Sequence, residues 1–320
     1  MRWRRPVRPE VVARPSAVRP GPGVVRSIVA MDTLVTVEVP EHAVIPGSEA
    51  LVGCALGWFR AVESTCSRFD PGSELSRIVR MVGEPVAVSE LLFHALEFSI
   101  AIAGESGGAF DPTVGAAMQR RGFDRNYVTR ERFRAAMNDG GVASYRDVVL
   151  DRGGRTVCLA RPLVLDLGAI AKGLALDLAA EALKGLGSYA VFAGGDLRVR
   201  GRNGEGAPWR VGVRPPREAD LLADTLELQD GAVCTSGDYE RTAGAVHHIL
   251  RPGTGDSAGD VASVTVIGPT AMLADALATA AFVLGPVEAC PFLERQGAEG
   301  LVITPDLRRL ETRGFGGFRR

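Results

Sequence analysis

Apolar and polar residues alternate over residues 24–39 (VVRSIVAMDTLVTVEV), which predicts one or two β-strands with the tripeptide MDT in the middle. Apolar residues then recur at helical spacing over residues 48–69, where Ser48 is a candidate N-cap, and again over residues 89–105. Residues 120–145 are charged and irregular, and they predict a short helix with a connecting loop. After an N-terminal strand pair, this part of the chain is therefore predicted to be mainly helical.

From Asp147 onward the pattern changes to short apolar runs. Three of them, VVLD, RTVCLA and PLVLDL, predict strands that lead into a long helix from Gly168 to about Gly187. Because most strands follow one another instead of alternating with helices, the pattern favours an α+β fold over a doubly wound parallel sheet. The later predicted strands are 189–193, 197–200, 209–213, 225–228, 232–235, 246–250, 262–267 and 300–304, and the later predicted helices are 270–284 and 287–296.

Composition is typical of a globular enzyme. The chain has 320 residues, 46% of them hydrophobic and 23% charged, with a formal net charge of −1. This charge gives no basis for a nucleic-acid surface, and no apolar run approaches the roughly 18 residues that span a bilayer. The five cysteines are scattered without a CxxC spacing, so we expect buried reduced thiols instead of disulfides or a zinc site.

The two ends of the chain differ from the rest. The first 26 residues hold seven arginines and five prolines with a single acid, and no apolar segment follows the Arg4–Arg5 pair. We therefore expect residues 1–25 to be a disordered basic tail, or to reflect a start codon placed too early, in preference to a targeting signal. Residues 26–311 are predicted to form a single domain, residues 312–320 a flexible C-terminal tail, and the protein is predicted to be cytoplasmic.

Two segments about a hundred residues apart combine groups that suit phosphate and magnesium. In LVLDLGAIAKGLALD, an apolar strand ends at Asp166 and a turn at Gly168 starts a helix that contains Lys172, so free backbone N–H groups and the helix dipole attract an anion. In ADALATA, Asp275 and Thr279 lie four residues apart on one helix face. Their oxygens suit Mg²⁺, with substrate phosphates completing its shell. Either segment alone is more typical of a helix cap or a structural polar contact.

Eight motifs occur along the chain, and their order carries a family resemblance. They are MDT (31–33), SRFDPGSELSRI (67–78), GGAFDPTVG (107–115), LDLGAIAKGLALD (165–177), FAGGDLRVRG (192–201), AVCTSGDYER (232–241), HHILRPGTG (247–255) and ADALATA (274–280). In this order, and over most of the chain, the set resembles the ApbE family of FAD:protein FMN transferases.

The resemblance implies both a fold and an activity. The fold is α+β, ApbE-like and T-fold-like, with mixed sheets, packed helices and FAD bound in a cleft between two sheet-rich halves. The activity is a magnesium-dependent cleavage of FAD that transfers FMN to a threonine or serine hydroxyl of an acceptor flavoprotein and releases AMP. Such chemistry needs positioning and charge neutralisation more than covalent help from the protein. The implied partners are FAD, Mg²⁺ and the acceptor, with the enzyme itself a monomer or homodimer.

The resemblance also implies roles for individual residues in binding FAD. Met31 and Phe69 match positions that contact the flavin, where an aromatic face suits ring stacking. Asp166 and Lys172 match nucleotide-binding positions, and Lys172 offers a positive charge to a phosphate. The other matched positions are Ala109, Phe110, Asp111, Gly194, Gly195, Ser236, Gly237 and Leu250, with Thr113, Thr235 and Asp238 beside them.

Metal and catalytic roles are implied in the same way. Asp275 and Thr279 match side-chain ligands of Mg²⁺, and Ala169 matches a third ligand that here can contribute only its backbone carbonyl. His248 is the candidate to take the proton from the acceptor hydroxyl, with Asp275 as the second catalytic residue. Neighbouring strand residues point to opposite faces, so we expect His247 to point away from the site.

Three departures from the family pattern bear on function. Asp32 stands where the family usually has glycine, and Val79 or a neighbour replaces an asparagine that often follows the SELSR segment. Arg251 stands where the family usually has aspartate, and it changes an acid near the phosphates into a base. It is expected either to tune acceptor recognition or to weaken catalysis. Because the metal ligands and the lysine are intact, we retain the interpretation as an enzyme.

Two other functions stay open at this point. An FAD pyrophosphatase would use the same site with water as the nucleophile, and the sequence cannot separate the two because the acceptor hydroxyl lies in another protein. A non-catalytic FAD-binding protein would have lost turnover through a change such as Arg251. A generic Mg²⁺-dependent phosphatase has no support in any motif of the chain.

Overall fold

A computed structural model of the protein describes residues 23–125, 132, 142–218, 221–239, 242–243 and 246–320. Nearly all of the predicted N-terminal tail, and much of the irregular region at 120–145, lie outside these described residues. The α-helices of the described part are α1 (Ser48–Cys66), α2 (Glu74–Val79), α3 (Glu90–Glu105), α4 (Gly115–Arg120), α5 (Gly168–Ala182), α6 (Ala271–Leu284) and α7 (Ala289–Arg295). Short 3₁₀ helices lie at Glu41–Ala43, Tyr145–Asp147 and Phe315–Phe318.

The strands agree with the apolar pattern over most of their length. Helix α5 ends at Ala182 instead of about Gly187, and the predicted strand at 246–250 is limited to Val246–His247. Helices α2 and α4 and the strands at Val86–Ala87, Thr242–Ala243 and Arg309–Glu311 were not predicted. The strands of the described part are β1 (Val24–Ala30), β2 (Thr33–Val39), β3 (Val86–Ala87), β4 (Val148–Asp151), β5 (Thr156–Leu159), β6 (Tyr189–Ala193), β7 (Asp196–Arg200), β8 (Trp209–Val213), β9 (Asp224–Leu228), β10 (Asp230–Gly237), β11 (Thr242–Ala243), β12 (Val246–His247), β13 (Ser263–Gly268), β14 (Glu299–Ile303) and β15 (Arg309–Glu311).

One eight-stranded sheet organises the fold, in the order β1-β2-β6-β7-β10-β13-β14-β15. All pairings between named strands are antiparallel, although the resemblance implied mixed sheets. Smaller sheets are formed by β3-β5-β4, by β8-β9 and by β11-β12. The predicted α+β class is confirmed.

Two apolar cores cover opposite faces of the large sheet. Successive residues of β10 show this, because side chains alternate between the two faces of a strand. Ala232 and Cys234 belong to the core that includes α1, α5 and α6, and we call this the helical face. Val233 belongs to the core that includes Trp209 of β8 and Phe315, and we call this the hairpin face. Helices α5 and α6 are thereby held over β7 and β10, where the candidate site forms.

The segment before α5 is extended but does not form the predicted strand. Val164 makes one isolated parallel bridge with Val114, and the Asp166 N–H donates to the Pro112 carbonyl at 2.8 Å. A side chain at Gly115 would place its Cβ 2.6 Å from the Val164 carbonyl oxygen, so glycine permits the close approach. This contact brings the GGAFDPTVG and LDLGAIAKGLALD motifs together.

The C-terminal segment differs from the flexible tail that was predicted for residues 312–320. Phe315 is fully buried in the core of the hairpin face. Arg319 donates to Asp224 and to Glu311, each at 2.7 Å. The local pattern could not reveal this packing because Asp224 lies 95 residues away in the sequence.

Smaller differences concern a helix cap and the cysteines. Gly47 is the N-cap of α1, and Ser48 is the first helical residue, whose hydroxyl bonds to the backbone of Ile45. Cys66 and Cys234 are buried as expected, whereas Cys54 is an exposed thiol. Within the described ranges, none of the helices combines the length and the apolar character needed to cross a membrane.

Candidate active site

A buried ion pair holds the first turn of α5. Asp166 accepts a hydrogen bond from the Gly168 N–H at 2.8 Å and another from Arg68 Nε at 2.5 Å. The Arg68 side chain is only 6% exposed, and its Nη2 donates to the Phe123 carbonyl at 2.6 Å. Asp166 therefore fixes the helix N-terminus, and its carboxylate is shared between two protein donors.

One turn further along α5, Lys172 donates to Oδ2 of Asp196 in β7. Oδ1 of Asp196 accepts the Thr235 N–H at 3.1 Å, so this carboxylate ties α5 to β7 and β10. Burial by itself lowers the pKa of Lys172, but the carboxylates of Asp196 and Asp275 outweigh burial and raise its pKa above the ordinary value. The ammonium group is therefore charged at neutral pH, as a phosphate partner must be.

Helices α5 and α6 cross at Gly173. A Cβ there would lie 2.5 Å from the Ala271 carbonyl oxygen and 2.6 Å from Met272 Cα, so the helices approach this closely only because the residue is glycine. The Gly173 N–H donates to Oδ2 of Asp275 at 3.2 Å. In return, Asp177 of α5 accepts the Ala271 and Met272 N–H groups at 2.9 and 2.8 Å, which holds the first turn of α6.

The crossing brings the residues matched to metal ligands close to one another. In an α-helix the N–H of residue i+4 faces the carbonyl of residue i, so the Gly173 N–H that reaches Asp275 also faces the Ala169 carbonyl. Thr279 lies one turn beyond Asp275 on α6, and its hydroxyl oxygen is 3.2 Å from Ser236 Oγ. A carboxylate, a hydroxyl and a backbone carbonyl form a hard-oxygen donor set that fits Mg²⁺.

This donor set is small. The described residues contain no group of three or more His, Cys, Asp and Glu side chains that could hold a metal ion by themselves. Mg²⁺ commonly keeps few protein ligands and completes its shell with water and substrate phosphates. The site is therefore suited to a metal that arrives with a phosphate-bearing substrate.

The aspartate of the GGAFDPTVG turn is used within the protein. Asp111 accepts the N–H and the hydroxyl of Thr113 at 2.8 and 2.7 Å, and the Tyr145 N–H at 3.0 Å. Burial raises the pKa of Asp111, although these hydrogen bonds oppose the rise. Phe110 is 3% exposed and packs in the core of the helical face, whereas Ala109 is half-buried. Asp111 and Phe110 thus stabilise the conformation of the turn, whereas Ala109 is the residue of the three that is more accessible to a ligand.

The turn of the β1–β2 hairpin has an uncommon backbone conformation. Met31 and Asp32 have φ angles of +52° and +62°, and positive φ at both central residues is the requirement of a type I′ hairpin turn. Aspartate tolerates this region better than most residues do, which accounts for Asp32 in place of the expected glycine. The Met31 N–H donates to Oε1 of Glu63 at 3.0 Å, so α1 holds the turn in place.

The two neighbouring histidines contact different elements. His248 packs edge-to-face against Phe123 with the ring centroids 6.4 Å apart. His247 packs in the same way against Phe282 of α6, at 5.6 Å. Burial lowers the pKa of His247, with the Asp238 carboxylate opposing the decrease. His247 was expected to point away from the site, but it contacts the helix that carries the matched metal ligands.

The segment that follows the histidines is closed by internal contacts. Leu250 is 4% exposed and packs against Ala117 and Met118, so a ligand would meet its backbone more readily than its side chain. Arg251, the most marked departure from the family pattern, forms an ion pair with Asp260. Its charge is therefore balanced within its own loop.

The β6–β7 turn lines a small cavity on the hairpin face. Gly194 and Gly195 form part of its wall, together with Thr235 and Thr265, whose hydroxyl oxygens are 2.9 Å apart. The residues predicted as a TSGDY turn are in fact partly strand, because β10 continues to Gly237. Since strand residues alternate, Thr235 faces the cavity while its neighbour in the chain contacts α6.

Three residues that take part in this arrangement were not assigned a role from the sequence. They are Arg68, Asp177 and Asp196, and each lies within a motif that had been singled out. A charged residue within an apolar run signals a buried partner. Their partners lie 21 to 98 residues away in the chain, so the sequence can indicate that a partner exists but not which residue it is.

Comparisons with known proteins show the family of the chain. The model of the ApbE family matches residues 31–302. The FAD:protein FMN transferase of Treponema pallidum (strain Nichols) is 37% identical over 250 residues, which is 70% of this chain and 68% of that protein. The enzyme of the same name from Vibrio cholerae is 34% identical over 239 residues, covering 70% of each chain.

Solved structures extend the likeness to the fold. The ApbE protein from Thermotoga maritima superposes with a TM-score of 0.83 at 32% identity, over 93% of this chain and 99% of that one. The flavin transferase ApbE from Vibrio cholerae gives a TM-score of 0.80 at 29% identity, over 92% and 99%. With a family match over most of its length and relatives above 30% identity, the chain belongs to the ApbE family.

Proposed function

We propose that the protein is a magnesium-dependent transferase that moves FMN from FAD to a threonine or serine hydroxyl of an acceptor flavoprotein. The observation that carries this proposal is that three other motifs, through Arg68, Asp196 and Asp275, contact the LDLGAIAKGLALD motif at the start of α5. These motifs lie within the family match at residues 31–302. Both relatives described above are named for FMN transfer from FAD to protein.

The proposed reaction makes one bond to phosphorus and breaks another. The acceptor oxygen bonds to the phosphorus of the FMN half of FAD, while the bond from that phosphorus to the bridging oxygen breaks. AMP leaves with the bridging oxygen, and the proton of the acceptor hydroxyl goes to a base. His248 is the proposed base, because an imidazole takes up a proton near neutral pH.

The negative charge of the diphosphate would be met by α5. Backbone N–H groups at the start of this helix attract an anion, and Lys172 supplies a full positive charge one turn later. Because Asp196 already holds Lys172, its ammonium group would meet a phosphate in a fixed position. Less side-chain entropy is then lost on binding than with a freely rotating lysine.

The ligands that we assign to Mg²⁺ are the Ala169 carbonyl, Asp275 and Thr279, and this contact is the proposed catalytic role of Asp275. A bound Mg²⁺ would neutralise charge on the phosphate oxygens. For FAD itself, Met31 and Phe69 are the proposed flavin contacts and Asp166 supports the nucleotide end. The remaining proposed FAD-binding residues are Ala109, Phe110, Asp111, Gly194, Gly195, Ser236, Gly237 and Leu250.

A hydrolase and a non-catalytic FAD-binding protein are the alternatives, and one experiment separates the three. The protein is incubated with FAD and Mg²⁺, with and without a candidate acceptor domain, while AMP release and the intact mass of the acceptor are followed. A transferase must keep water from the phosphorus until the hydroxyl docks. We expect slow AMP release from FAD alone, and fast release with a gain of one FMN when the acceptor is present.

Equally fast AMP release in both arms, with no gain in acceptor mass, would identify a pyrophosphatase instead. Binding of FAD with no AMP in either arm would indicate the binding protein. Replacing His248 with Ala should lower the acceptor-dependent rate more than the affinity for FAD. His94→Ala is the matched control, because His94 is an exposed histidine of α3 that takes part in none of the contacts described above. A cytoplasmic location and a monomeric or homodimeric state stay predictions.

A further inference from the structure

Arg68 is buried beside the candidate site and contacts three residues there. Only 6% of its side chain is exposed. Its Nε donates to Asp166 at 2.5 Å and its Nη2 donates to the Phe123 carbonyl at 2.6 Å. Its Cζ lies 4.1 Å from the centre of the Phe69 ring, within the range of a cation–π contact. The guanidinium group thus joins two distant segments of the chain, at Phe123 and Asp166, to the ring of its neighbour Phe69.

This arrangement is costly for stability. Nη1 of Arg68 is buried and has no hydrogen-bond partner. A buried donor without a partner loses its hydrogen bonds to water and gains none in the protein, which destabilises the fold. Buried ion pairs are also often no more stabilising than apolar side chains of the same size. A planar charged group held at this cost points to a role in the geometry of the site.

Each of the three contacts leads to a residue that the proposed function uses. Asp166 holds the N-terminus of α5 through the Gly168 N–H at 2.8 Å. Phe69 is the aromatic ring proposed to face the flavin. Phe123 packs edge-to-face against the ring of His248. Arg68 therefore contacts, or lies one residue away from, each of these three parts of the proposed site.

We infer that Arg68 is a positioning residue, which fixes the Phe69 ring relative to the Asp166 turn so that the flavin and phosphate ends of FAD are bound in one geometry. The inference rests on the proposed function, since it takes FAD as the ligand. The planar fork of arginine is required, because lysine can pair with Asp166 but cannot also reach the Phe123 carbonyl and stack on the ring.

The test compares Arg68→Lys with the wild-type protein, and uses Arg80→Lys as a matched control. Arg80 follows α2, is exposed, and donates to the Pro71 carbonyl at 3.0 Å, so the control also removes an arginine–carbonyl bond. The measurements are FAD affinity by titration without acceptor, and the visible circular dichroism of the flavin at saturating FAD. The dichroism reports how rigidly the flavin is held, and a purely structural role in the fold would not change it once FAD is bound.

For Arg68→Lys we expect at least a tenfold weaker affinity for FAD and a reduced visible dichroism at saturation, with Arg80→Lys unchanged in both. Affinity within threefold of the wild type, together with an unchanged dichroism, would overturn the inference. If the wild-type protein itself fails to bind FAD, the proposed function is wrong, and this outcome is distinct from a failure of the inference.

A second variant covers the case in which Arg68→Lys does not fold. Phe69→Leu keeps an apolar side chain at a half-buried position and leaves the ion pair intact. If Arg68 acts through this ring, Phe69→Leu should reproduce the weaker affinity and the reduced dichroism. Wild-type behaviour of Phe69→Leu would contradict the inference, because the positioned ring would then have no part in binding FAD.

Discussion

At the scale of single residues, the site is organised by buried or half-buried carboxylates whose oxygens accept hydrogen bonds from protein donors. Asp166 accepts from Arg68 and the Gly168 N–H, Asp196 accepts from Lys172 and the Thr235 N–H, and Asp111 accepts from Thr113 and the Tyr145 N–H. Buried charges are tolerated when they are paired in this way. Asp275 is also buried and accepts the Gly173 N–H at 3.2 Å. Its carboxylate is the one that we propose binds Mg²⁺.

Replacing Asp275 with Asn tests this assignment, because the two side chains have nearly the same size and shape. The amide oxygen can still accept the Gly173 N–H, so the fold should be retained, but the negative charge that would bind Mg²⁺ is lost. Even substitutions beside a metal ligand cost about 10–100-fold, so we expect Mg²⁺-dependent AMP release to fall at least about a hundredfold. The measurement is AMP release over a Mg²⁺ titration, with EDTA as the metal-free reference.

Asp151→Asn is the control for this substitution. Asp151 is also an aspartate that accepts backbone N–H groups, at 3.1 and 2.9 Å, but it is exposed in the β4–β5 turn. It should keep the wild-type dependence on Mg²⁺. Retention of full activity by Asp275→Asn in the presence of EDTA would rule out the metal assignment.

At the scale of elements, the crossing of α5 and α6 places Lys172 and the matched metal ligands in one region. Each helix provides an aspartate that accepts backbone N–H groups from the other, namely Asp275 toward α5 and Asp177 toward α6. This reciprocal bonding is possible only because the two backbones touch at Gly173. The spacing of the helices and the geometry of the site are therefore set by the same contact.

Gly173→Ala should consequently damage both stability and activity. The added Cβ would lie within 2.6 Å of backbone atoms of α6, which cannot move away as a flexible side chain could. Overpacking of this kind costs about 1–3 kcal/mol, and we expect the free energy of unfolding to fall by about 2 kcal/mol, or roughly 4 °C or more in melting temperature. Thermal melting and AMP release provide the two measurements.

Gly53→Ala serves as the comparison within a helix. Gly53 lies in α1, and a Cβ there would meet no atom within 4 Å. The substitution should be neutral or stabilise the protein by up to about 1 kcal/mol, because alanine favours the helix. If both variants melt like the wild type, the close approach at Gly173 is not a constraint on the fold.

The elements themselves were largely predictable, whereas their long-range partners were not. Helices α5 and α6 were predictable from their long apolar runs, and α6 is buried around most of its circumference. The apolar run before α5 predicts a strand but forms only one isolated bridge, because an apolar run alone does not reveal which segment it will pair with. The partner of Lys172 is an aspartate of the AGGD motif, and only the folded sheet brings the two together.

At the scale of the whole molecule, the large sheet separates the face that carries the candidate site from the face that the C-terminal segment covers. The helical face carries α5, α6 and the candidate site. The hairpin face is covered by β8, β9 and the C-terminal segment. In this segment Arg319 forms an isolated β-bridge with Leu226 of β9. That residues 26–311 form a single domain remains a prediction. What the structure adds is that residues 312–320 complete a core instead of trailing from it.

Phe315→Ala tests whether this segment holds the hairpin face together. The Phe315 side chain is fully buried, and removing such a ring typically costs about 3–5 kcal/mol, which is a large share of the 5–15 kcal/mol of a usual domain. We expect a strongly lowered midpoint in urea unfolding, with FAD still bound by the folded fraction. Arg313→Ala should shift the free energy of unfolding by less than about 0.5 kcal/mol, because the Arg313 side chain is 93% exposed. Equal midpoints for the two variants would mean that the segment behaves as the flexible tail that its composition suggested.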